Sequence, residues 1–179
     1  YMDIAEDDIE AFRRAYQRIL SSPAQSALYR EAPAVYVWDD HDYGANNSDR
    51  TSASRRAARI AYRENVPHYP LPGGDGDAPI YQAFTVGRVR FIVTDTRSER
   101  DPNRTPDGPG KTMLGEAQLS WFKQELLEAN GRYPLIVWVN AVPWIAAPEE
   151  GSDTWGGFAH EREEIATFIA ENEIRSVVI

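Results

Sequence analysis

The chain has 179 residues, of which 42% are hydrophobic, so it can bury the core of one globular domain and is not typical of a disordered protein. Its formal net charge of -9 repels nucleic acid and anionic membrane surfaces at long range, so a phosphate-bearing substrate would need local positive charge, which metal ions can supply. Disulfides and thiolate chemistry are excluded because the chain has no cysteine, and no apolar run approaches the length of a transmembrane helix.

The beginning of the chain predicts two helices and a strand. Apolar residues at helical spacing indicate a helix over residues 9–20 with Asp7 or Asp8 as its N-cap, and a short second helix is predicted to begin at Pro23. The apolar run at residues 34–38 then predicts a first, buried strand. The acidic residues that follow it are expected to open a loop.

A basic helix and a long loop are predicted next. Ser48 or Asp49 can cap a helix that runs to about Glu64 and carries several arginines, so we expect it on the surface. Prolines and glycines interrupt residues 66–79, which predicts a loop that shapes a wall of the site.

The remainder predicts one hairpin and then strands that alternate with helices. The predicted elements are hairpin strands at 80–86 and 89–94, a helix at 115–129, a strand at 135–139, a helix at 159–172 and a final strand at 175–179. The first of these helices is expected to bury Leu119, Phe122, Leu126 and Leu127. This order predicts an α/β layered fold with a mixed β-sheet and flanking helices. The final strand is expected to be buried, and we expect the chain to be an interior piece of a longer protein.

The chemically most informative segment directly follows the first predicted strand and reads Trp38-Asp39-Asp40-His41-Asp42, with Asn46 and Asn47 close behind. Ligands of open α/β sheets collect at the carboxyl ends of strands, and Asp, Asn and His side chains bind metal ions. In an extended chain, Asp40 and Asp42 would project to one side and His41 to the other. Alternatively, the aspartates form a turn that caps a helix, with His41 solvated. We favour a metal or phosphate site because this charge density beside an apolar strand is costly unless metal or arginine neutralises it.

Further segments complete a pattern that runs through nearly the whole chain. They are Phe91-Ile92-Val93-Thr94-Asp95-Thr96-Arg97, Met113-Leu114-Gly115, Val142-Pro143-Trp144, Asp153-Thr154-Trp155-Gly156-Gly157-Phe158 and the terminal Val177-Val178-Ile179. Each segment is weak alone. In this order they resemble the PhoD-like alkaline phosphatases and phosphodiesterases, within the calcineurin-like metallophosphoesterase superfamily.

The resemblance implies roles for the acidic segment. In that superfamily a Gly-Asn-His-Glu/Asp motif supplies a metal-ligating Asn and a substrate-facing His, and the PhoD-like version reads Asp-Asp-His-Glu/Asp. By position, Asp40 would be the metal ligand, His41 would contact phosphate or protonate the leaving oxygen, and Asp42 would orient His41. Asn47, and after it Asn46, resembles a calcium-ligand position of the family, although loop hydrogen bonding is an equal alternative for both.

Three other residues are candidates. Tyr1 resembles the last residue of the Gly-Asp-x-x-Tyr motif, where a tyrosinate binds ferric iron in PhoD-like and purple acid phosphatases. Arg97 follows a strand-end Asp95 and can bind phosphate through two N–H groups, although a salt bridge to Asp95 or Asp101 is the commoner use of such a residue. Asn140 sits at a strand end where related enzymes place a ligand.

The function implied by the resemblance is metal-dependent phosphoester hydrolysis, in which a metal-bound hydroxide attacks phosphorus and His41 assists the leaving group. Residues 1–179 would then be a single, partial metallophosphoesterase catalytic domain, incomplete at both ends. Iron and calcium are implied as cofactors, with zinc or manganese suiting other superfamily members, and export from the cytoplasm is implied by resemblance only. The family's first aspartate motif and terminal Gly-Asp-x-His motif fall outside the chain, so the isolated piece is expected to bind metal weakly and to turn over little substrate.

Two alternatives belong to other functional classes. A non-catalytic calcium-binding or carbohydrate-contacting module would use the acidic segment for Ca²⁺ and exposed tryptophans for stacking. An inactive phosphatase-like scaffold would serve as an interaction domain.

Overall fold

The structure is a computed structural model that describes residues 2–179, so the predicted iron ligand Tyr1 lies outside the described residues. The elements in chain order are α1 (Ile9–Leu20), α2 (Pro23–Glu31), α3 (Asp40–Tyr43), α4 (Arg55–Asn65), β1 (Gln82–Val86), β2 (Val89–Val93), α5 (Glu116–Ala129), β3 (Leu135–Val139), a 3₁₀ helix (Trp155–Phe158), α6 (Ala159–Glu171) and β4 (Val177–Val178). Among the described residues, no helix is both long and apolar enough to cross a membrane.

The four strands form one mixed sheet in the order β1-β2-β3-β4. The predicted hairpin is confirmed, because β1 and β2 pair antiparallel, whereas β2 with β3 and β3 with β4 pair parallel. Helix α5 connects β2 to β3 and helix α6 connects β3 to β4, which is the crossover connection that parallel strands require. The carboxyl ends of the parallel strands β2 and β3 therefore lie at the same edge of the sheet. The predicted α/β fold with a mixed sheet and flanking helices is confirmed.

Two hydrophobic clusters hold the molecule together. The larger one joins the sheet to α5 and α6 and is centred on Phe122, Trp138 and Trp155, whose rings lie 4.5 to 6.0 Å apart. The smaller one joins α1 to α4 and surrounds Trp38 and Tyr62, whose centroids are 5.2 Å apart. The acidic segment begins directly after Trp38, so the smaller cluster fixes its starting point.

The strand predicted at residues 34–38 is wrong, because this segment adopts neither strand nor helix. A strand needs a neighbour for its backbone hydrogen bonds. Here Trp38 packs in the smaller cluster with Tyr36 and Val37 against it, while Val35 is 51% exposed. Trp38 contacts the rings of Tyr43 and Tyr62, and the carbonyl of Tyr36 accepts a hydrogen bond from the Tyr62 hydroxyl. The end of the apolar run, at Trp38, is buried against α4, but the segment does not join the sheet and its beginning is exposed.

Helix α4 also differs from its prediction, since it begins at Arg55 rather than after a Ser48 or Asp49 cap. Asp7 accepts from the backbone N–H of Ala57 in its first turn. The helix is not a surface helix either: its alanines allow close packing, and Arg59 is fully buried with one N–H bonded to Asp77. Spacing of the arginines alone could not reveal this.

Smaller differences concern burial. Helix α5 buries Phe122 and Leu126 as predicted, but Leu127 is 42% exposed, because the buried face also takes in Gln118 and Ala129. The final strand is shorter and less buried than predicted, since among residues 2–179 β4 pairs with β3 on one side and Val178 is 54% exposed.

Candidate functional site

The acidic segment folds into a one-turn helix rather than an extended chain. Asp39 is the N-cap residue of α3, and its backbone N–H donates to Asp42 Oδ2 at 3.5 Å. Carboxylates are favoured in a first helical turn, which accounts for this local structure. The predicted alternation of Asp40 and Asp42 against His41 is therefore wrong, and the capping alternative describes Asp39 and Asp42 correctly.

Asp40 lies at the base of this turn and is 8% exposed. Its Oδ1 accepts the backbone N–H of His41 at 2.9 Å, and its Oδ2 accepts the backbone N–H of Asn47 at 2.9 Å. Its backbone carbonyl accepts the Ser48 hydroxyl at 3.0 Å. One carboxylate thus closes residues 39–48 into a compact unit, which we call the acidic loop.

His41 is held from two sides. Its carbonyl accepts the backbone N–H groups of Met2 and Asp3 at 3.0 and 2.9 Å, and its Nδ1 is hydrogen-bonded to the Asp3 carboxylate. Its Nε2 lies 3.9 Å from Asp40 Oδ2. The Asp3 hydrogen bond, with help from Asp40, raises the pKa of the imidazole above its ordinary value against the opposing effect of burial.

The carboxylate bonded to Nδ1 of His41 is therefore that of Asp3, whereas the resemblance implied Asp42. Asp42 accepts from Asp39 N–H and raises the pKa of the Tyr36 phenol, which burial has already raised. Asp42 also borders an apolar cavity of about 580 Å³ between α1, α2 and the start of the loop after α4. The loop 66–79, predicted as a wall of the site, contributes Val66 and Pro67 to that cavity.

Asn46 and Asn47 are both brought next to the aspartate–histidine pair. Asn46 hydrogen-bonds His41 and contributes to its raised pKa. Asn47 has a φ of 59°, a left-handed conformation that asparagine tolerates better than most residues, and its N–H binds Asp40. The loop-conformation alternative thus has direct support at Asn47, and the role as a metal ligand stays a prediction.

Arg97 lies fully buried beneath the acidic loop. Its Nε donates to Asp39 Oδ1 at 2.7 Å and its Nη1 to the carbonyl of Ser48 at 3.4 Å, so it contacts both ends of the loop. Its two Nη atoms also donate to Asp153 at 2.9 and 2.7 Å. The alternative of a salt bridge is observed, but the partners are Asp39 and Asp153 rather than the expected Asp95 or Asp101.

Asp153 connects this arginine to a second one. Arg100 Nη2 donates to Asp153 Oδ1 and to its carbonyl at 2.9 and 2.8 Å, and Asn103 Nδ2 donates to the same Oδ1 at 3.1 Å. Burial acts to raise the pKa of Asp153, but Arg97 and Arg100 outweigh it and hold that pKa below the usual range. Burial lowers the pKa of Arg100 to about 10, and the charge of Arg97 adds to this.

The backbone after Asp153 is wound tightly against its own loop. A Cβ added to Gly156 would lie 2.2 Å from the carbonyl oxygen of Ala147, and one added to Gly157 would lie 2.1 Å from that of Ser152. Trp155, which precedes the two glycines, is buried against Trp138 and Trp144 and donates its indole N–H to Asn140 Oδ1 at 3.0 Å. The amide oxygen of Asn140 is therefore occupied by this hydrogen bond. Asp153 projects from a closely packed, rigid turn.

Asp95 follows the end of β2, and both of its carboxylate oxygens accept hydrogen bonds from the surrounding fold. Its Oδ1 accepts from Trp38 Nε1 and the backbone N–H groups of Arg97 and Ser98, at 2.9 to 3.1 Å. Its Oδ2 accepts from Ile80 N–H and the Ser98 hydroxyl, at 3.0 and 2.5 Å. The side chain is fully buried, so Asp95 ties Trp38, and with it the start of the acidic loop, to the edge of the sheet.

The donors among residues 2–179 do not by themselves fit a complete metal centre. No group of three or more His, Cys, Asp or Glu side chains in that range converges as a metal site. Asp40 keeps unused acceptor capacity on each oxygen, since each takes one N–H where a carboxylate offers about four sites in all. The described residues can thus contribute a ligand to a metal centre but do not complete one.

Sequence reasoning missed four residues of this arrangement: Asp3, Asp39 as an ion-pair partner, Ser48 as an anchor and Asp153. Asp3 lies in a segment without a periodic pattern, so nothing in the sequence signals its contact with His41. Asp153 belongs to a segment that contributes to the resemblance. The Gly-Gly pair at residues 156–157 was a sequence signal that predicts a tight turn close to Asp153.

Comparison with known proteins agrees with the resemblance. The model of a family described as PhoD-like phosphatase matches residues 5–179. Alkaline phosphatase D from Bacillus subtilis (strain 168) is 27% identical over 199 aligned residues that include 96% of this chain. The chain spans about a third (34%) of the length of that curated relative. The family match covers nearly all of the chain, which therefore belongs to the PhoD-like phosphatase family.

A solved structure described as "Structure of PhoD" supports the fold. It superposes with a TM-score of 0.82 at 24% identity, over 97% of this chain and 38% of that chain. At this identity the likeness shows the fold alone, which is the incomplete α/β arrangement predicted from the sequence.

Proposed function

We propose, from the premise that the chain belongs to the PhoD-like phosphatase family, that the full-length protein hydrolyses phosphoesters and that this chain contributes part of its catalytic domain. Because the chain spans about a third of its curated relative, the activity is proposed for the full-length protein and not for the isolated chain. Residues 2–179 would supply Asp40 and His41 to the site. The remaining ligands would come from elsewhere in the protein.

The observation that carries the proposal is the fixed pairing of His41 with Asp40. The carbonyl and Nδ1 of His41 are bonded to residues 2 and 3, while its Nε2 lies 3.9 Å from Asp40 Oδ2. A hydrogen bond to one ring nitrogen restricts the orientation of the imidazole. The role proposed for His41 is to donate a proton to the leaving oxygen of a phosphoester bound beside Asp40.

Metal ions bound with the help of Asp40, and of Asn47 and Asn46, would supply the nucleophile and offset the charge that develops on phosphorus. We propose iron and calcium, with zinc or manganese as the alternatives, and small-molecule phosphomonoesters or phosphodiesters as substrates. The role of Asp42 is proposed to be support of α3. Arg97 is proposed to act by holding the acidic loop, because its N–H groups donate to Asp39, Ser48 and Asp153.

The test is hydrolysis of bis-p-nitrophenyl phosphate and p-nitrophenyl phosphate by the full-length protein, with and without Fe³⁺ plus Ca²⁺. We expect metal-dependent turnover that falls about 10²-fold or more in His41→Ala, the scale for loss of a general acid. His160→Ala is the matched control, because His160 is an exposed residue of α6, and we expect its turnover to stay unchanged.

Two outcomes would count against the proposal. Equal turnover of His41→Ala and the parent protein would remove His41 from the mechanism. Absence of turnover under every metal, with calcium still bound, would favour the non-catalytic calcium-binding module.

A further inference from the structure

We propose that Asp153 is a positioning residue, which acts through Arg97 to hold the acidic loop and so places Asp40 and His41. This inference rests on the proposed function for its catalytic consequence. Its structural part, the coupling between Asp153 and the acidic loop, is testable without any activity.

The first step is the contact of Arg97 with the loop. Arg97 reaches Asp39 at one end and the carbonyl of Ser48 at the other, and Ser48 in turn donates its hydroxyl to the Asp40 carbonyl. A rigid, forked guanidinium can hold two acceptors at a fixed separation in a way that a point charge cannot. Arg97 therefore works as a brace between the two ends of the loop.

The second step is what orients Arg97. Asp153 receives its two terminal nitrogens at 2.9 and 2.7 Å, a two-point ion pair in which the guanidinium is fully buried and the Asp153 side chain is 28% exposed. Such a pair fixes the plane of the guanidinium as well as its position. The Asp153 carboxylate accepts hydrogen bonds from Arg97, Arg100 and Asn103. Of these three, Arg97 is the residue that also hydrogen-bonds the acidic loop, so the influence of Asp153 on the loop passes through Arg97.

The third step is electrostatic. Arg97 and Arg100 both bind Asp153, and their like charges are brought together only because that carboxylate lies between them. Without it, two buried guanidinium groups would repel each other, and Arg97 would keep Asp39 as its one carboxylate partner in the network described. Arg97 would then tilt, and the carbonyl of Ser48 would lose its brace.

The experiment measures native-state amide exchange of the full-length protein by NMR, for the parent sequence and Asp153→Asn. The reporters are Gly44 N–H, bonded to Asp40 O at 2.6 Å, and Asn47 N–H, bonded to Asp40 Oδ2 at 2.9 Å. We expect exchange at both to become about 10-fold faster, because local opening of the acidic loop becomes easier. Unchanged exchange at both amides in a folded variant would overturn the proposal.

Glu125→Gln is the matched control. Glu125 on α5 accepts two N–H groups from Arg90 at 3.1 and 2.5 Å, so this change also weakens a partly buried arginine–carboxylate pair, but away from the acidic loop. We expect exchange at Gly44 and Asn47 to be unchanged. Equal acceleration in both variants would show general destabilisation and overturn the proposal.

If Asp153→Asn fails to fold, Asp153→Glu replaces it in the exchange experiment, because it keeps the charge and shifts the carboxylate by one methylene. It should accelerate the same two amides to a smaller degree, and no acceleration would again overturn the coupling. In the full-length protein, Asp153→Asn is expected to lower kcat about 10-fold with KM little changed, as for loss of a supporting contact, and Asp153→Glu to restore part of it.

The two proposals fail in different ways. A parent protein without turnover contradicts the proposed function and leaves the exchange result to judge the coupling. Faster exchange in Asp153→Asn with kcat unchanged would show that the coupled loop does not place catalytic groups, which overturns the positioning role.

Discussion

The acidic loop and the segment that follows β2, residues 94–101, both carry a buried aspartate but use it in opposite ways. Asp95 accepts five donors from Trp38, Ile80, Arg97 and Ser98, which saturates the roughly four acceptor sites of a carboxylate. Asp40 accepts two backbone N–H groups, one on each oxygen, and faces His41 across 3.9 Å. Saturation makes Asp95 a structural joint, and spare capacity leaves Asp40 available for a ligand.

This contrast shows why the number of acidic residues is a poor guide to a metal site. Burial does not distinguish the two aspartates, because both have less than a tenth of their surface exposed. The number of hydrogen-bond donors around each carboxylate does distinguish them. A buried carboxylate becomes chemically available when the surrounding N–H groups leave lone pairs unused.

The largest expected effect tests the structural side of the comparison. Asp95→Ala leaves the indole N–H of Trp38 and the N–H groups of Ile80 and Arg97 without their acceptor in the core. We expect the free energy of unfolding to fall by about 3 to 5 kcal/mol, measured by urea denaturation of the full-length protein.

The matched variant for this prediction is Trp38→Phe, which removes one of the five donors and keeps an aromatic ring in the small cluster. Its cost should be about 1 to 3 kcal/mol, because the lost hydrogen bond is joined by the small cavity that the shorter ring leaves. A loss below about 1 kcal/mol in Asp95→Ala would contradict the view of Asp95 as a joint.

The second effect tests the chemical side. Asp40→Asn keeps one oxygen acceptor and nearly the same shape, so we expect the free energy of unfolding to fall by about 1 kcal/mol. Turnover of the full-length protein is expected to fall by about 10- to 100-fold, because a neutral amide is a weaker ligand and places less charge beside His41. The measurements are urea denaturation and hydrolysis of bis-p-nitrophenyl phosphate.

The comparison between the two aspartates would break if the outcomes were exchanged. Asp40→Asn with a large loss of stability and full turnover would make Asp40 a second structural joint.

The smallest effect concerns pH and the ion pair that supports the acidic loop. Arg97 and Arg100 hold the pKa of Asp153 below its ordinary value, so the carboxylate stabilises the fold above the ordinary pKa and loses that contribution as the pH falls through the lowered one. The difference in free energy of unfolding between the parent chain and Asp153→Asn should therefore narrow below about pH 4. A difference that stays constant or widens in acid would contradict the ion pair.

Much of the fold was predictable because its signals are local. The periodicity and flanking breakers of α1, α5, β3 and the hairpin determine these elements, and the structure confirms them. The strand expected at 34–38 failed because an apolar run reports burial but not the partner that covers it. The buried Arg59 was missed for the same reason, since pairing with Asp77 depends on a contact distant in sequence.

The same distinction between local signals and distant contacts applies to the candidate site. His41 and Asp40 were proposed from a contiguous motif, and in the structure His41 Nε2 lies 3.9 Å from Asp40 Oδ2, while their roles stay predictions. The partners that hold them, Asp3 and Asp153, come from remote parts of the chain, and their contacts arise only from the folded geometry. The Gly-Gly pair signals a turn near Asp153, but a single sequence does not say which distant residues Asp3 and Asp153 contact.

The tight turn after Asp153 has a consequence for mutational tolerance. Carbonyl oxygens already occupy the space that a side chain would need at Gly156 and Gly157, so the Cβ of any other amino acid would clash with the backbone. Gly74 and Gly76 differ, because nothing lies within 4 Å of a Cβ there and the cost is one of conformation alone. In a saturation library we expect positions 156 and 157 to return glycine only, while asparagine and aspartate survive at 74 and 76.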